Sequence, residues 1–99
     1  MESQEFVNSM IPCLFKLLPM REEFDLGLNN GLYEYIENLI EDITGSQYTF
    51  PALCKDIRYI SVINLLHYIS QRDLSFQKYR GAILRAVNLM DKIGGNKNA

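Results

Sequence analysis

Leu32-Tyr33-Glu34-Tyr35-Ile36-Glu37-Asn38-Leu39-Ile40-Glu41-Asp42-Ile43 is the stretch that decides the fold class. Leu32, Tyr35, Ile36, Leu39, Ile40 and Ile43 recur at the spacing that gathers side chains on one stripe of an α-helix. The segment predicts an amphipathic helix over 32–43, whose remaining surface is Glu34, Glu37, Asn38, Glu41 and Asp42, with no base among them. Like charges three and four residues apart repel by a few tenths of a kcal/mol per pair. Glu41 and Asp42 are further expected in the last turn, where the helix dipole disfavours anions. A pattern that costs the helix stability points to a use outside the fold.

Upstream, Asn29-Asn30-Gly31 reads as a turn, since Gly and Asn accept the positive φ that other residues resist. Before it, Pro19-Met20-Arg21-Glu22-Glu23 opens a short helix near 20–26, with proline first and carboxylates in the first turn. Phe6, Val7, Met10, Ile11, Leu14, Phe15 and Leu18 form the stripe of a helix over about 3–18, with Ser3 as its cap. Pro12 lacks an N–H and crowds the preceding turn, so a kink near Asn8–Ser9 or a restart is expected. Downstream, Thr44-Gly45-Ser46 closes the acidic helix, and Tyr48-Thr49-Phe50-Pro51 opens the next, with Thr49 as cap. That helix, about 51–71, carries Leu53, Ile57, Ile60, Ile63 or Val62, Leu66 and Ile69. Ser75 caps a last helix over 76–93, striped by Phe76, Tyr79, Ile83, Val87, Met90 and Ile93. Gly94-Gly95 supplies its left-handed end, and 94–99 is expected to fray.

Four main helices (3–18, 32–43, 51–71, 76–93) with a short one near 20–26 and no strand signal predict an all-α, antiparallel up-and-down bundle. The 99 residues, 47% apolar and 22% charged, fit one globular domain over 1–99 with a single core. No apolar run approaches the roughly 20 residues a membrane span needs. The acidic start Met1-Glu2-Ser3-Gln4-Glu5 is unlike a secretory leader, so a cytoplasmic location is expected.

Catalytic machinery is not expected. His67 is the single histidine, which leaves no paired-imidazole metal site, and it reads as a core or boundary residue beside the apolar stripe. Cys13 and Cys54 sit in apolar patterns and read as buried thiols, not as a disulfide or a nucleophile. Phosphate-binding and dinucleotide fingerprints are missing, as is a calcium loop around Glu37 and Glu41. The reading is therefore of a non-enzyme with no cofactor and no metal. A nucleic-acid partner, through Arg58, Arg72, Lys78, Arg80 and Arg85, is opposed by the acidic whole-chain balance, a net charge of −2.

Charge is unevenly spread. Residues 1–50 carry nine acids against Lys16 and Arg21, a net −7, whereas 51–99 carry eight bases against three acids, a net +5. The halves either attract each other across the fold or leave an acidic surface that steers a basic partner. Six tyrosines and five phenylalanines suit either a core edge or an interface rich in aromatic anchors, and self-association into a homo-oligomer fits the same surplus.

Val62-Ile63-Asn64-Leu65-Leu66-His67-Tyr68-Ile69-Ser70-Gln71-Arg72-Asp73-Leu74-Ser75-Phe76-Gln77-Lys78-Tyr79, with Ile83, Met90 and Ile93-Gly94, resembles the closing helix pair of small bacterial immunity proteins. Those proteins accompany polymorphic toxins of the Maf or contact-dependent-inhibition kind. The aromatic-rich helix, the short turn, the Phe-x-x-Tyr and the glycine-ended last helix are also similar to four-helix bacteriocin immunity proteins of the enterocin type. The likeness covers about a third of the chain; the half with Pro12 and the acidic helix departs from it. It implies an inhibitor that neutralises one toxin by stoichiometric binding. A basic toxin, such as a nuclease, would then be met by Glu34, Glu37, Glu41 and Asp42 for steering and ion pairing, with Tyr33 as an aromatic contact. The competing expectation is a secretion-chaperone-like or regulatory adaptor that holds a partner helix in an apolar groove.

Overall fold

The computed structural model describes residues 2–95. Six helices make it up: α1 (Ser3–Phe15), α2 (Leu17–Asp25), α3 (Leu32–Thr49), α4 (Pro51–Cys54), α5 (Ile57–Ile69) and α6 (Phe76–Ile93). No strand occurs among the described residues, and the fold is the all-α bundle expected from the periodicity. α6 packs against both α5 and α1, and α5 also meets α3, so the order around the bundle is α1, α6, α5, α3. Hydrogen bonds between helices give the directions. Asn8 near the start of α1 donates to the Gly94 carbonyl after α6 (3.5 Å), and the Tyr79 hydroxyl near the start of α6 donates to the Leu17 carbonyl (2.8 Å). The Tyr59 hydroxyl, early in α5, donates to the Ile43 carbonyl in the second half of α3 (3.1 Å) and shares a hydrogen bond with Ser46 Oγ. Both tyrosines are fully buried, and burial pushes both hydroxyls above the ordinary tyrosine pKa.

Arg21 secures α2. Its Nε reaches both Asp25 carboxylate oxygens (3.1 and 3.0 Å), Nη2 donates to the Leu74 carbonyl at 2.8 Å, and the guanidinium lies 4.9 Å from the centre of the Tyr79 ring. A rigid planar fork can serve a carboxylate, a carbonyl and an aromatic face together, which an ammonium cannot. Through it, the short helix is tied to the loop between α5 and α6.

Several boundaries differ from expectation, each for a local reason. Glu2, not Ser3, caps α1, and the Glu5 carboxylate accepts from the Glu2 N–H at 2.9 Å. Pro12 lies inside α1 without ending it. The break comes at Lys16, because Pro19 has no N–H to offer the Phe15 carbonyl. The 3–18 helix thus stops at Phe15, and Pro19 is the third residue of α2, not the first. α3 continues six residues past Ile43 to Thr49: Ser46 is buried, and its bonds to the Ile43 carbonyl and the Tyr59 hydroxyl hold the turn that Gly45 weakens. Glu41 and Asp42 are therefore mid-helix. The expected 51–71 helix is divided, with Asp56 capping α5 by accepting from the Arg58 N–H at 2.9 Å. Thr49 caps nothing and ends α3, whereas Ser75 caps α6 as expected.

Left-handed backbone falls at Gly27, ahead of the expected Asn29-Asn30-Gly31 turn, and at Gly95, within the expected Gly94-Gly95 end. Gly27 (φ 77°) takes it before the turn, while Gly31 has φ −91° and is held by Asn29 Oδ1 accepting from its N–H. Gly94 stays helical at φ −70°, and Gly95 (φ 74°) makes the reversal; residues 96–99 of the tail lie outside the described residues. α5 is rotated from its expected stripe. Tyr59, Val62, Leu66 and Ile69 enter the core, and Ile57 and Ile60 turn outward.

Candidate functional site

At about 100° per residue, Glu34, Glu37, Glu41 and Tyr48 fall on one narrow strip of α3, opposite the buried Leu32, Ile36, Leu39 and Ile43. All four are exposed, Tyr48 to 88%. Ion pairs among the described residues join Arg21 to Asp25 at 3.0 Å and Arg58 to Asp56 at 2.8 Å. None reaches Glu34, Glu37, Glu41 or Asp42. The acidic strip is thus outward-facing, with no base within ion-pairing distance among the described residues.

Two of the five sequence-derived residues are not part of the exposed strip: Tyr33 borders it but is buried, and Asp42 faces another side of α3. Tyr33 is only 6% exposed: the Phe24 ring meets it edge-on at 5.2 Å, and the Arg72 guanidinium lies 4.3 Å from its ring centre. With both of these contacts made inside the chain, little ring is left for an incoming surface. Asp42 follows Glu41 by about 100° around the helix and faces α1. There it borders a hollow of about 530 Å³ lined by Phe6, Met10, Ser46 and Phe50, the Phe6 and Phe50 ring centres 5.7 Å apart.

A second hollow, of about 350 Å³, lies between α3 and the end of α5. Tyr33, Glu37, Ile40 and Glu41 form one wall, and His67, Ser70 and Arg72 the other. Its charge is mixed, two carboxylates facing one guanidinium beyond 4 Å. Glu41 borders both hollows and so forms the ridge between them.

Tyr48 is not visible as a site residue from the sequence, because Thr44-Gly45-Ser46 reads as the end of the helix. The signal was its spacing of seven from Glu41, two full turns on the same face. His67 is exposed, not in the core, and of the expected buried thiols Cys13 is half-buried and Cys54 exposed. Among the described residues, no three His, Cys, Asp or Glu side chains are grouped to hold a metal, and no helix is long and apolar enough to cross a membrane. The arrangement can attract and pair cations at a surface. Compared with known protein families, characterised proteins and solved structures, the chain matches none.

Proposed function

We propose that the protein is an immunity-type inhibitor, which neutralises a cognate basic toxin by stoichiometric binding through the outward strip of α3. The observation that carries this reading is that Glu34, Glu37 and Glu41 stand exposed and without ion-pair partners among the described residues, although the second half of the chain has a net charge of +5. Unpaired carboxylates in a row speed encounter with a cationic surface and set its register. The likeness of 62–94 to the closing helices of immunity proteins supports the same class. In this reading Glu34, Glu37 and Glu41 steer and pair, Tyr48 takes the aromatic role expected of Tyr33, and Asp42 lies outside the contact.

Co-expression tests it. A toxin encoded next to this chain should be tolerated by cells making the wild-type protein, and toxic in cells making the E37K/E41K variant at equal abundance. Equal protection by both would remove the acidic strip from the mechanism.

One observation favours a second reading, an adaptor that holds a partner helix. The hollow between α1 and α3 is walled by Phe6, Met10 and Phe50, an apolar lining suited to such a helix. Substituting Phe6 with Ser would impair an adaptor and leave toxin protection intact.

A further inference from the structure

α5 is apolar on the side it exposes as well as on the side it buries. Ile57 (78% exposed), Ile60 (41%), Asn64 and Tyr68 (36%) follow one another at i, i+3, i+7 and i+11 along its outer face. Over 57–71 the one charged residue is Arg58, and Asp56 holds it through two side-chain bonds of 3.0 and 2.8 Å. Solvent-facing helix surfaces normally carry charge, whereas the centre of a protein interface is depleted of it. At 1.5 Å per residue the strip runs about 16 Å, three turns of an opposing helix.

Its neighbour on the α3 side is the acidic strip. Ile60 and His67 are seven residues apart on one face of α5, and His67 lines the hollow that Glu37 and Glu41 line from α3. An uncharged strip therefore adjoins an anionic one. We infer that the two form a single docking surface, and that its occupant is an amphipathic basic helix of the partner, seating apolar residues on Ile57 and Ile60 and lysines or arginines over Glu37 and Glu41. This rests on the acidic-strip reading and adds the chemistry of the partner. Charge complementarity selects the occupant: a second copy docking by twofold symmetry through this face sets Glu37 and Glu41 either against their own equivalents or against the apolar strip, neither of which neutralises them, and an anionic lipid surface is repelled by them.

The probe is a synthetic 18-residue leucine/lysine amphipathic helix, compared with a glutamine/lysine helix of equal charge and a leucine/lysine peptide of scrambled order. Binding is followed by fluorescence anisotropy in a salt series and by amide chemical shifts of the labelled chain. The ordered leucine/lysine helix should bind tightest and shift α3 and α5. I57S/I60S should weaken it by about tenfold or more while the chain stays fully helical at the assay temperature, and I57S alone, at a side chain 78% exposed, should weaken it with little change in the unfolding temperature. E37Q/E41Q should weaken it and flatten its salt dependence. If I57S/I60S binds the helix as the wild type does, or the glutamine/lysine helix binds equally well, the α5 strip is not part of the surface, and the E37Q/E41Q result then stands alone for the acidic strip. If E37Q/E41Q leaves binding and salt dependence unchanged, the acidic reading itself fails. A dimer of the chain alone that I57S/I60S dissolves would make the occupant a second copy and overturn the inference.

Discussion

Replacing Glu37 with Gln should stabilise the protein, and the size of the gain measures whether the acidic strip is unpaired. Glu37 has Glu34 three residues before it and Glu41 four after it, and all three side chains are exposed on one strip of α3. Each like-charged pair costs about 0.2–0.5 kcal/mol, so removing the central charge relieves about 0.4–1.0 kcal/mol. Glutamine and glutamate have nearly equal helix propensity, and position 37 is mid-helix, so propensity and dipole add little. Arg72 lines the same hollow but lies beyond ion-pairing distance, so its attraction acts through water and takes back part of the gain. For a domain of this size about 1 kcal/mol moves the melting temperature by roughly 5 °C, so E37Q should melt about 2–5 °C higher at low salt. At 0.5 M salt screening should remove most of the difference. The assay is thermal unfolding followed by circular dichroism, at 20 mM and 500 mM salt, for wild type, E37Q, R72Q and the double variant. Loss of stability in E37Q, abolished in the R72Q background, would show that Glu37 is neutralised within the chain, and the docking argument built on it would fall.

Tyr59→Phe removes a buried hydroxyl bonded to the Ile43 carbonyl and Ser46 Oγ. It should cost about 1–2 kcal/mol in urea unfolding, and a loss below about 0.3 kcal/mol would deny that the contact holds the end of α3. Asp56→Ala should cost about 1 kcal/mol at neutral pH as α5 loses its cap. The bond from the Arg58 side chain holds the Asp56 carboxyl below its ordinary value near 3.8, so its contribution is present above that value and is lost as pH falls through the lower, folded pKa. The gap between wild type and variant should therefore close in strong acid, and a gap unchanged at pH 2 would refute the assignment. Burial raises the hydroxyl pKa of Tyr59 and Tyr79 above 10.0, so their contribution is intact below pH 10 and lost above it. The share of tyrosinate absorbance that is lost in Y59F and in Y79F should then appear in the wild type only together with loss of the helical signal, and its appearance before loss of helix would argue against burial of these hydroxyls.

Helix existence was legible because periodicity follows from burying one face, and α3 and α6 declare that face by a polar remainder. α5 does not. With apolar residues on every side of 57–69, spacing could not choose between the Ile57–Ile60 strip and the Tyr59–Val62 strip; what chooses is the pair of hydrogen bonds the Tyr59 hydroxyl finds on α3. Helix ends failed for a related reason. Gly45 and Ser46 look like a terminus to local propensity, but a buried Ser46 with two partners makes the extra turn a packing element. Tyr48 joined the acidic strip only through that extension, and Tyr33 left the candidate contact through Phe24, on the preceding helix, and Arg72, far along the chain, neither of which its own helical spacing reveals.

Among the described residues, most bases of the second half stay clear of the acidic strip because of the order of the helices. Four exposed bases of the second half, Lys78, Arg80, Arg85 and Lys92, sit on α6, and α5 stands between α6 and α3. Packed helix axes are about 8–10 Å apart, so two intervals place the α3 and α6 charges beyond the roughly 8 Å over which ions at physiological strength screen them. A charged α5 could bridge that distance, but its one base is held by its own cap residue. Arg72, in the loop after α5, faces Glu37 across the hollow, but the bases of α6 are thus kept apart from the α3 carboxylates by the apolar helix between. The same uncharged face that insulates α3 from α6 is left bare beside the carboxylates, so an incoming basic helix gains its apolar seat and its counter-charges from two adjoining helices.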